Sequence, residues 1–390
     1  MDRGVQGALG SSCELEVRSL SLGSLPAEQW DALVNDGYPF ARHAFLHALE
    51  ESGAVGGESG WLPRHLGVWR GERLVAALPC FEKHHSFGEY VFDWQWADAW
   101  ERAGGEYYPK LVSAVPFTPA TGPRLLHAVG ESRVALVEAL LPWLESSRVS
   151  GWHLLFPSEA ESQRWRAAWP ALALRYGVQY HWHDRGYRDF EGFLATFTAK
   201  RRKEVRRERR KVAEQGLTLH RLCGAEIDEA ALEHFYRCYQ ITYLEHGQRG
   251  YLPLEFFVLL VQRMPEALML VQVRHHGVPV ACSLFFQGGD TLYGRYWGSE
   301  VHADCLHFEA CYYQGIDYCL TQGLEHFDPG TQGEHKIPRG FEPLLTHSLH
   351  WLAAPSLRHA VETFLTDERA LTIARRDAAG ELLPFRRDQA

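Results

Sequence analysis

Residues 268–286 read "LMLVQVRHHGVPVACSLFF", two apolar runs rich in Val, Leu and Phe on either side of a His-Gly turn. Short β-branched runs around a glycine-bearing turn read as an antiparallel hairpin. Residues 65–81, "HLGVWRGERLVAALPCF", have the same form around Arg-Gly-Glu. The two stretches align without gaps at an offset of 205: Val68, Val75, Ala76 and Phe81 fall on Val273, Val280, Ala281 and Phe286. Slightly downstream, "FGEY" (Phe87 to Tyr90) faces "YGRY" (Tyr293 to Tyr296) at an offset of 206. A constant offset of about half the chain predicts an internal duplication, hence two copies of one fold.

The second copy is the more legible. Strands are expected at about 268–274, 279–287 and 291–297, then a helix over "CLHFEACYYQGIDYCLTQG" that stops at Gly323, a short strand in "LEHFDPG", a loop, and an alternating strand in "LLTHSLHWL". A meander followed by a crossover helix places this half in the mixed α/β class. Near the N-terminus, "LPAEQWDALV" and "HAFLHALEESG" read as short helices.

A chain of 390 residues has room for two domains of ordinary size, and the expected division is 14–185 and 186–390. Its eight cysteines form no CxxC pair and sit in apolar runs, as small buried hydrophobes of a reducing compartment do. With no leader pattern and no run of about 20 apolar residues, a cytoplasmic protein without a transmembrane segment is expected.

A formal charge of −9 argues against a generally cationic nucleic-acid binder. One segment departs from that balance: "KRRKEVRRERRK", residues 200–211, holds nine Lys and Arg against Glu204 and Glu208. On a helical wheel Leu194, Phe197, Val205 and Val212 form one stripe, so a basic helix over 194–214 should dock by that face and open the second domain. Cations without i,i+4 acid partners repel one another, which favours an anionic ligand over a merely solvated face. Arg202, Lys203, Arg206, Arg207 and Arg210 are the candidate contacts to phosphates of a nucleic acid or of a nucleotide-linked substrate, with Arg202 and Arg206 opposite the stripe.

The loop at 331–341, "TQGEHKIPRGF", crowds Glu334, His335, Lys336 and Arg339 between glycines that break any regular period. Loops so built display binding and catalytic groups; the plainer reading is that Glu334 and Arg339 staple the loop. Metal is a further possibility to weigh with 21 histidines, but neither "HWHD" (His181 to Asp184) nor "HADCLHFE" (His302 to Glu309) has a zinc spacing, and no metal is expected.

Taken together, "KRRKEVRRERRKVAEQGL", "DTLYGRYWGSEVHADCLHFEACYYQGIDY", "GTQGEHKIPRGFEPLLTHSLHW", "GEYVFDWQWADAW", "YYPKLVSAVPFTPATGPRLL" and "GWHLLFPSE" closely resemble the FemAB-like proteins of peptidoglycan biosynthesis or recognition. The resemblance implies tandem duplicated GNAT-like domains, as in the Fem peptidyltransferases, and an enzyme that joins an activated acyl or aminoacyl group to an amine acceptor such as a cell-wall precursor or a small metabolite. No permanently bound cofactor is implied; aminoacyl-tRNA or acyl-coenzyme A is the co-substrate. The junction "GSEVHADCLHFEA" lacks the Q/R-x-x-G-x-G/A loop with which acetyl-coenzyme A enzymes of this fold hold pyrophosphate. An acyl-coenzyme A N-acetyltransferase and a non-catalytic protein that binds a peptidoglycan precursor or RNA are the alternatives.

"HKIPRGF" resembles the Fem K-x-x-G-F element with one extra residue, which makes Lys336 the better match and Arg339 its rival. The expected catalytic set is therefore Lys336, to stabilise the oxyanion or orient the donor, with Glu334 or His335 as base. Tyr293, Arg295 and Trp297 alternate along the strand that borders the cleft in this fold and are candidate substrate contacts together with Arg339 and Glu309. Arg295 is the expected partner of Glu309.

Overall fold

The computed structural model describes residues 14–331 and 333–386. Fifteen strands run in chain order as β1 (Leu15–Ser19), β2 (Trp61–Pro63), β3 (Leu66–Arg70), β4 (Arg73–Leu78), β5 (Phe81–Lys83), β6 (Lys110–Ser113), β7 (Leu126–His127), β8 (Gly151–Leu155), β9 (Ala173–His183), β10 (Leu217–Cys223), β11 (Leu268–His275), β12 (Val278–Gly288), β13 (Thr291–Ser299), β14 (His326–Asp328) and β15 (Glu342–Leu352). They form a four-stranded sheet in the order β1-β3-β4-β7 and an eleven-stranded sheet in the order β10-β11-β12-β13-β14-β9-β15-β8-β6-β5-β2. The protein is mixed α/β, as the element order requires.

The duplication holds at the level of single residue pairs. Val68 pairs with Ala76 across β3 and β4, and Val273 pairs with Ala281 across β11 and β12. A bulge follows at the same place in each, between Val68 and Trp69 and between Val273 and Arg274. The two-residue turns also coincide: Arg70 pairs with Arg73 around Gly71-Glu72, and His275 with Val278 around His276-Gly277. Positive φ at both His276 and Gly277 is the geometry a tight hairpin needs to match strand twist. The 206-residue match does not extend this: Tyr293 to Tyr296 lie on β13, whereas Phe87 to Tyr90 form a loop in which Gly88 and Tyr90 take left-handed φ of 78° and 59°. Such φ values cannot continue a strand.

Each half also holds a parallel pair reached by a crossover. Leu111, Val112 and Ser113 of β6 pair with Trp152, His153 and Leu154 of β8; Thr291, Leu292 and Tyr293 of β13 pair with His326, Phe327 and Asp328 of β14. The second crossover helix ends at Gly323, whose φ of 70° forms the left-handed cap, and it carries a π-turn over Glu309–Tyr313. Between the halves lie β9 and β15, eleven residues each. β9 pairs with β14 and β15, and β15 pairs with β9 and β8, so strand pairing runs unbroken from one half into the other. The C-terminal helix, Pro355–Gly380, packs on this pair, with Arg175 of β9 bridging to Glu368 at 2.7 Å.

The largest core cluster draws on both halves: Phe45 of the helix His43–Glu51 meets Phe256 edge-on at 5.4 Å, and Phe40 meets Tyr293 at 5.1 Å. The basic helix spans Ala199–Glu214, starting five residues later than the periodicity suggests, because Thr196 to Thr198 separate it from a short helix at Phe190–Ala195. The apolar stripe is nonetheless continuous, with Leu194, Phe197, Val205 and Val212 all buried. No described helix is long and apolar enough to cross a membrane.

Candidate functional site

The crowded loop is wound into a 3-10 helix, Glu334–Arg339, between Gly333 (φ 107°) and Gly340 (φ 88°). Only tight i,i+3 winding fits so many groups between two left-handed residues. A Cβ on Gly340 would lie 2.7 Å from Phe193 and 2.9 Å from Phe197, so the glycine also lets the loop press onto the start of the basic helix.

The loop faces a cleft of roughly 1160 Å³ between the halves, walled by Phe87 and Tyr90, by Arg175 and Tyr180 of β9, and by Glu334 and His335. His335 accepts or donates a hydrogen bond at Nε2 with the Tyr312 hydroxyl at 2.8 Å. Burial and the neighbouring Lys336 and Arg339 cations push its pKa down, so at neutral pH it is an uncharged imidazole. Glu334 is exposed and paired with Arg375 of the C-terminal helix at 3.0 Å.

Lys336 lies behind this wall, 1% exposed, and its Nζ donates to the Gly330 carbonyl at 2.5 Å. Burial pulls its pKa down to about 8, partly offset by the Asp328 carboxylate. Asp328 accepts the Gly330 N–H at 2.9 Å through Oδ1 and lies 3.4 Å from His181 Nε2, while its Oδ2 is buried without a hydrogen-bond partner. Burial pushes His181 down to about 4, with Asp328 acting in the opposite sense. Asp328 and His181 were missed from the sequence as site residues. The signal available was an acid at a strand end before Pro-Gly, "FDPG", and the alternation "HWH", which sends His181 to Asp328 and His183 to His326, 3.0 Å away.

Arg339 and Glu309 have partners other than those expected. Arg339 is 7% exposed and forms a two-point pair with Glu208 of the basic helix, Nη2 to Oε1 at 2.6 Å and Nε to Oε2 at 3.2 Å, while its guanidinium covers Phe308 at 3.4 Å. It does not pair with Glu334. Glu309 is met by Arg209 at 3.0 Å and by Gln314 at 2.8 Å, not by Arg295. Both residues tie the basic helix to the loop and the π-turn.

The three residues of β13 do not share one face. Opposite Leu284 and Phe285 the strand carries a bulge in which Arg295 is the extra residue, so alternation restarts. Tyr293 packs with Tyr38 and Phe40 in the first core, and Trp297 lies against His307 at 5.6 Å in the second. Arg295 reaches across the halves to the Phe117 carbonyl at 3.1 Å and leaves Nε buried without a partner. With Trp297, His307 and Tyr312 it lines a small pocket of about 120 Å³.

Along the basic helix acids of the helix itself and acids from elsewhere in the chain both meet the cations. Arg201 pairs with Glu204, Arg206 with Glu191, Arg209 with Glu309 and Asp317, Arg210 with Glu214, and Lys211 with Asp304. Lys200, Arg202, Lys203 and Arg207 have no acidic partner among the described residues. Of the expected contacts, Arg202, Lys203 and Arg207 are therefore available while Arg206 and Arg210 are engaged. Of these three, Lys203 and Arg207 are exposed; Arg202 is half-buried toward the stripe, not opposite it.

A family profile described as FemAB-like, peptidoglycan biosynthesis/recognition, matches residues 21–387. No curated protein sequence matches the chain. Among solved structures, FemX is 12% identical with a TM-score of 0.52, covering 89% of this chain and 100% of FemX. The C-terminal domain of a putative lysylphosphatidylglycerol synthetase from Agrobacterium fabrum is 10% identical with a TM-score of 0.53, covering 87% and 95%. L-PGS from Bacillus licheniformis is 11% identical with a TM-score of 0.50, covering 85% and 98%. At such identities the likeness is one of fold alone. By the match over nearly its whole length, the chain belongs to the FemAB-like family.

Proposed function

We propose that this protein is an aminoacyl- or acyltransferase that forms an amide bond in the cleft between its halves, taking its acyl group from aminoacyl-tRNA in the cytosol and passing it to an amine of a cell-wall precursor or small metabolite. The GNAT-like units would divide at residues 14–185 and 186–390, each completed by a long strand of the other. The observation that carries the reading is the Arg339–Glu208 pair, which fixes the cleft loop to a helix with four cations free to meet phosphate.

In this reading the acceptor amine attacks the ester carbonyl of the donor. His335, uncharged at neutral pH and on the cleft wall, takes the proton the amine loses and returns one to the ribose hydroxyl as it leaves; Lys336, buried behind that wall, holds the loop through the Gly330 carbonyl rather than meeting the oxyanion. Glu334 orients Arg375 rather than acting as base, being exposed and paired. Asp328 and His181 hold the ground behind Lys336.

Where an acyl-coenzyme A enzyme of this fold would hold pyrophosphate, the junction after β13 is closed in another way. Gln215 takes both the N–H and the carbonyl of Asp304, whose carboxylate pairs with Lys211. An acid there opposes a bound diphosphate, which favours tRNA as donor. The test is transfer from a mixed aminoacyl-tRNA pool to a lipid-free peptidoglycan precursor by the full chain. Turnover that survives His335→Ala and Lys336→Ala unchanged removes the site assignment; turnover with acyl-coenzyme A but not with aminoacyl-tRNA removes the donor.

A further inference from the structure

A second cluster of reactive side chains lies away from the cleft, in the core of the second half. The helix Glu229–Glu245 packs on β12 and β13, and Gly298 makes the approach possible, since a Cβ there would overlap the Cys238 carbonyl. His234 and Cys238 stand one turn apart on that helix and face Cys282 of β12. All three are buried, at 3%, 0% and 0% exposure. His234 Nδ1 is 3.1 Å from Cys282 Sγ, and His234 Nε2 is 3.5 Å from Cys238 Sγ; one donor atom from each of the three residues lies within 4.8 Å of the others. Glu300, on the turn after β13, brings Oε1 to 3.8 Å from His234 Nε2 and is the one member that reaches solvent, beside Arg237.

We propose that His234, Cys238, Cys282 and Glu300 form a structural site for a thiophilic divalent cation, zinc by chemistry. Tetrahedral zinc with bonds of about 2.3 Å to sulfur and 2.0–2.1 Å to nitrogen spaces its donors roughly 3.5 Å apart; the three donors here lie within 4.8 Å of one another, close enough for small side-chain rotations to gather them on one ion. The two sulfurs flank the imidazole edge that carries Cε1. A half-turn of the ring about Cβ–Cγ exchanges Cε1 with Nε2 in place and sets one nitrogen between both sulfurs. Two thiolates and an imidazole select zinc over magnesium or calcium, and Glu300, outside the three-residue cluster at 3.8 Å from the imidazole, would have to swing onto the ion to close the fourth position, as a structural ion requires. The ion would clamp the helix to the sheet that carries β13. It is distinct from the two histidine-rich stretches, since none of its four residues lies within 181–184 or 302–309.

The experiment uses the full chain, stripped with chelator and titrated with Co²⁺ and Zn²⁺. One equivalent of Co²⁺ should bind with a near-ultraviolet thiolate-to-cobalt charge-transfer band of the strength of two thiolates, displaced by one equivalent of Zn²⁺, and Zn²⁺ should raise the melting temperature. Cys282→Ser and Cys238→Ser should each weaken the band, and Glu300→Gln should keep it while lowering affinity at least about tenfold. If the serine variants do not fold, the wild-type band decides alone. No charge-transfer band with Co²⁺, or one undiminished in both serine variants, overturns the site.

Discussion

Arg339 of the cleft loop and Glu208 of the basic helix, 131 residues apart in the chain, meet in a two-point ion pair at 2.6 and 3.2 Å. The Tyr313 hydroxyl donates to the same carboxylate. Removing one partner of a largely buried pair leaves the other charge unmatched, at a cost of about 3 kcal/mol. Glu208→Gln is therefore expected to lower unfolding free energy by that order in urea titration. A loss below about 0.5 kcal/mol means the pair does not hold the loop.

Lys336 is a site where function opposes stability. Its folded pKa of about 8 lies below the ordinary lysine value of 10.5. Between those pH values the unfolded chain holds a proton that the folded chain has released, so stability rises with pH from about 8 to 10.5, and below 8 the folded state carries the full penalty. Lys336→Met removes that penalty. At pH 7 the variant should be more stable, by on the order of 3 kcal/mol at most, its stability should flatten over that window, and turnover should fall as the loop loses its anchor on the Gly330 carbonyl. Chemical denaturation at pH 7 and pH 10 checks the first two; an unchanged slope with pH refutes them.

In the first half Lys110 is fully buried and bonds Ser86 at 2.7 Å, Glu89 at 2.8 Å and Asp93 at 2.5 Å, while the Tyr107 hydroxyl donates to Asp93 at 2.7 Å. Burial pushes Glu89 up to about 7; for Asp93 burial acts the same way and is the largest single influence, but Lys110, His153 and Ser86 together outweigh it and hold that carboxyl below its usual range. Lys110→Met leaves two buried carboxylates facing each other. The variant should lose about 3–5 kcal/mol, and Glu89→Gln introduced with it should recover part of the loss, as calorimetry would show.

For the basic helix, the unpaired and paired cations should behave differently toward tRNA. Replacing Lys200, Arg202, Lys203 and Arg207 with alanine should lower the slope of log affinity against log salt by about 3.6, at roughly 0.9 per phosphate contact. Replacing Arg206 and Arg210, which face Glu191 and Glu214, should change it by less than about 1. Filter binding between low and moderate salt measures both; equal effects from the two sets argue against a phosphate-binding face.

The sequence by itself determined whatever depends on neighbours in the chain. The hairpin at 268–286 and its copy at 65–81 follow from alternation and turn residues, and the copy is faithful down to one bulge. The stripe Leu194, Phe197, Val205, Val212 follows from helical period, although Thr196 to Thr198 interrupt the helix itself. What only the tertiary structure decided is which charges meet. Arg209 finds Glu309 and Asp317 about a hundred residues away, Arg339 finds Glu208 rather than Glu334, and the bulge at Arg295 turns Tyr293 and Trp297 to opposite cores. Periodicity is a local property, set by backbone geometry within a few residues. Ion pairing and burial depend on which surfaces strands β9 and β15 bring together, and no local pattern in "EHKIPRG" records that its lysine is buried against Asp328 while its glutamate stands in solvent.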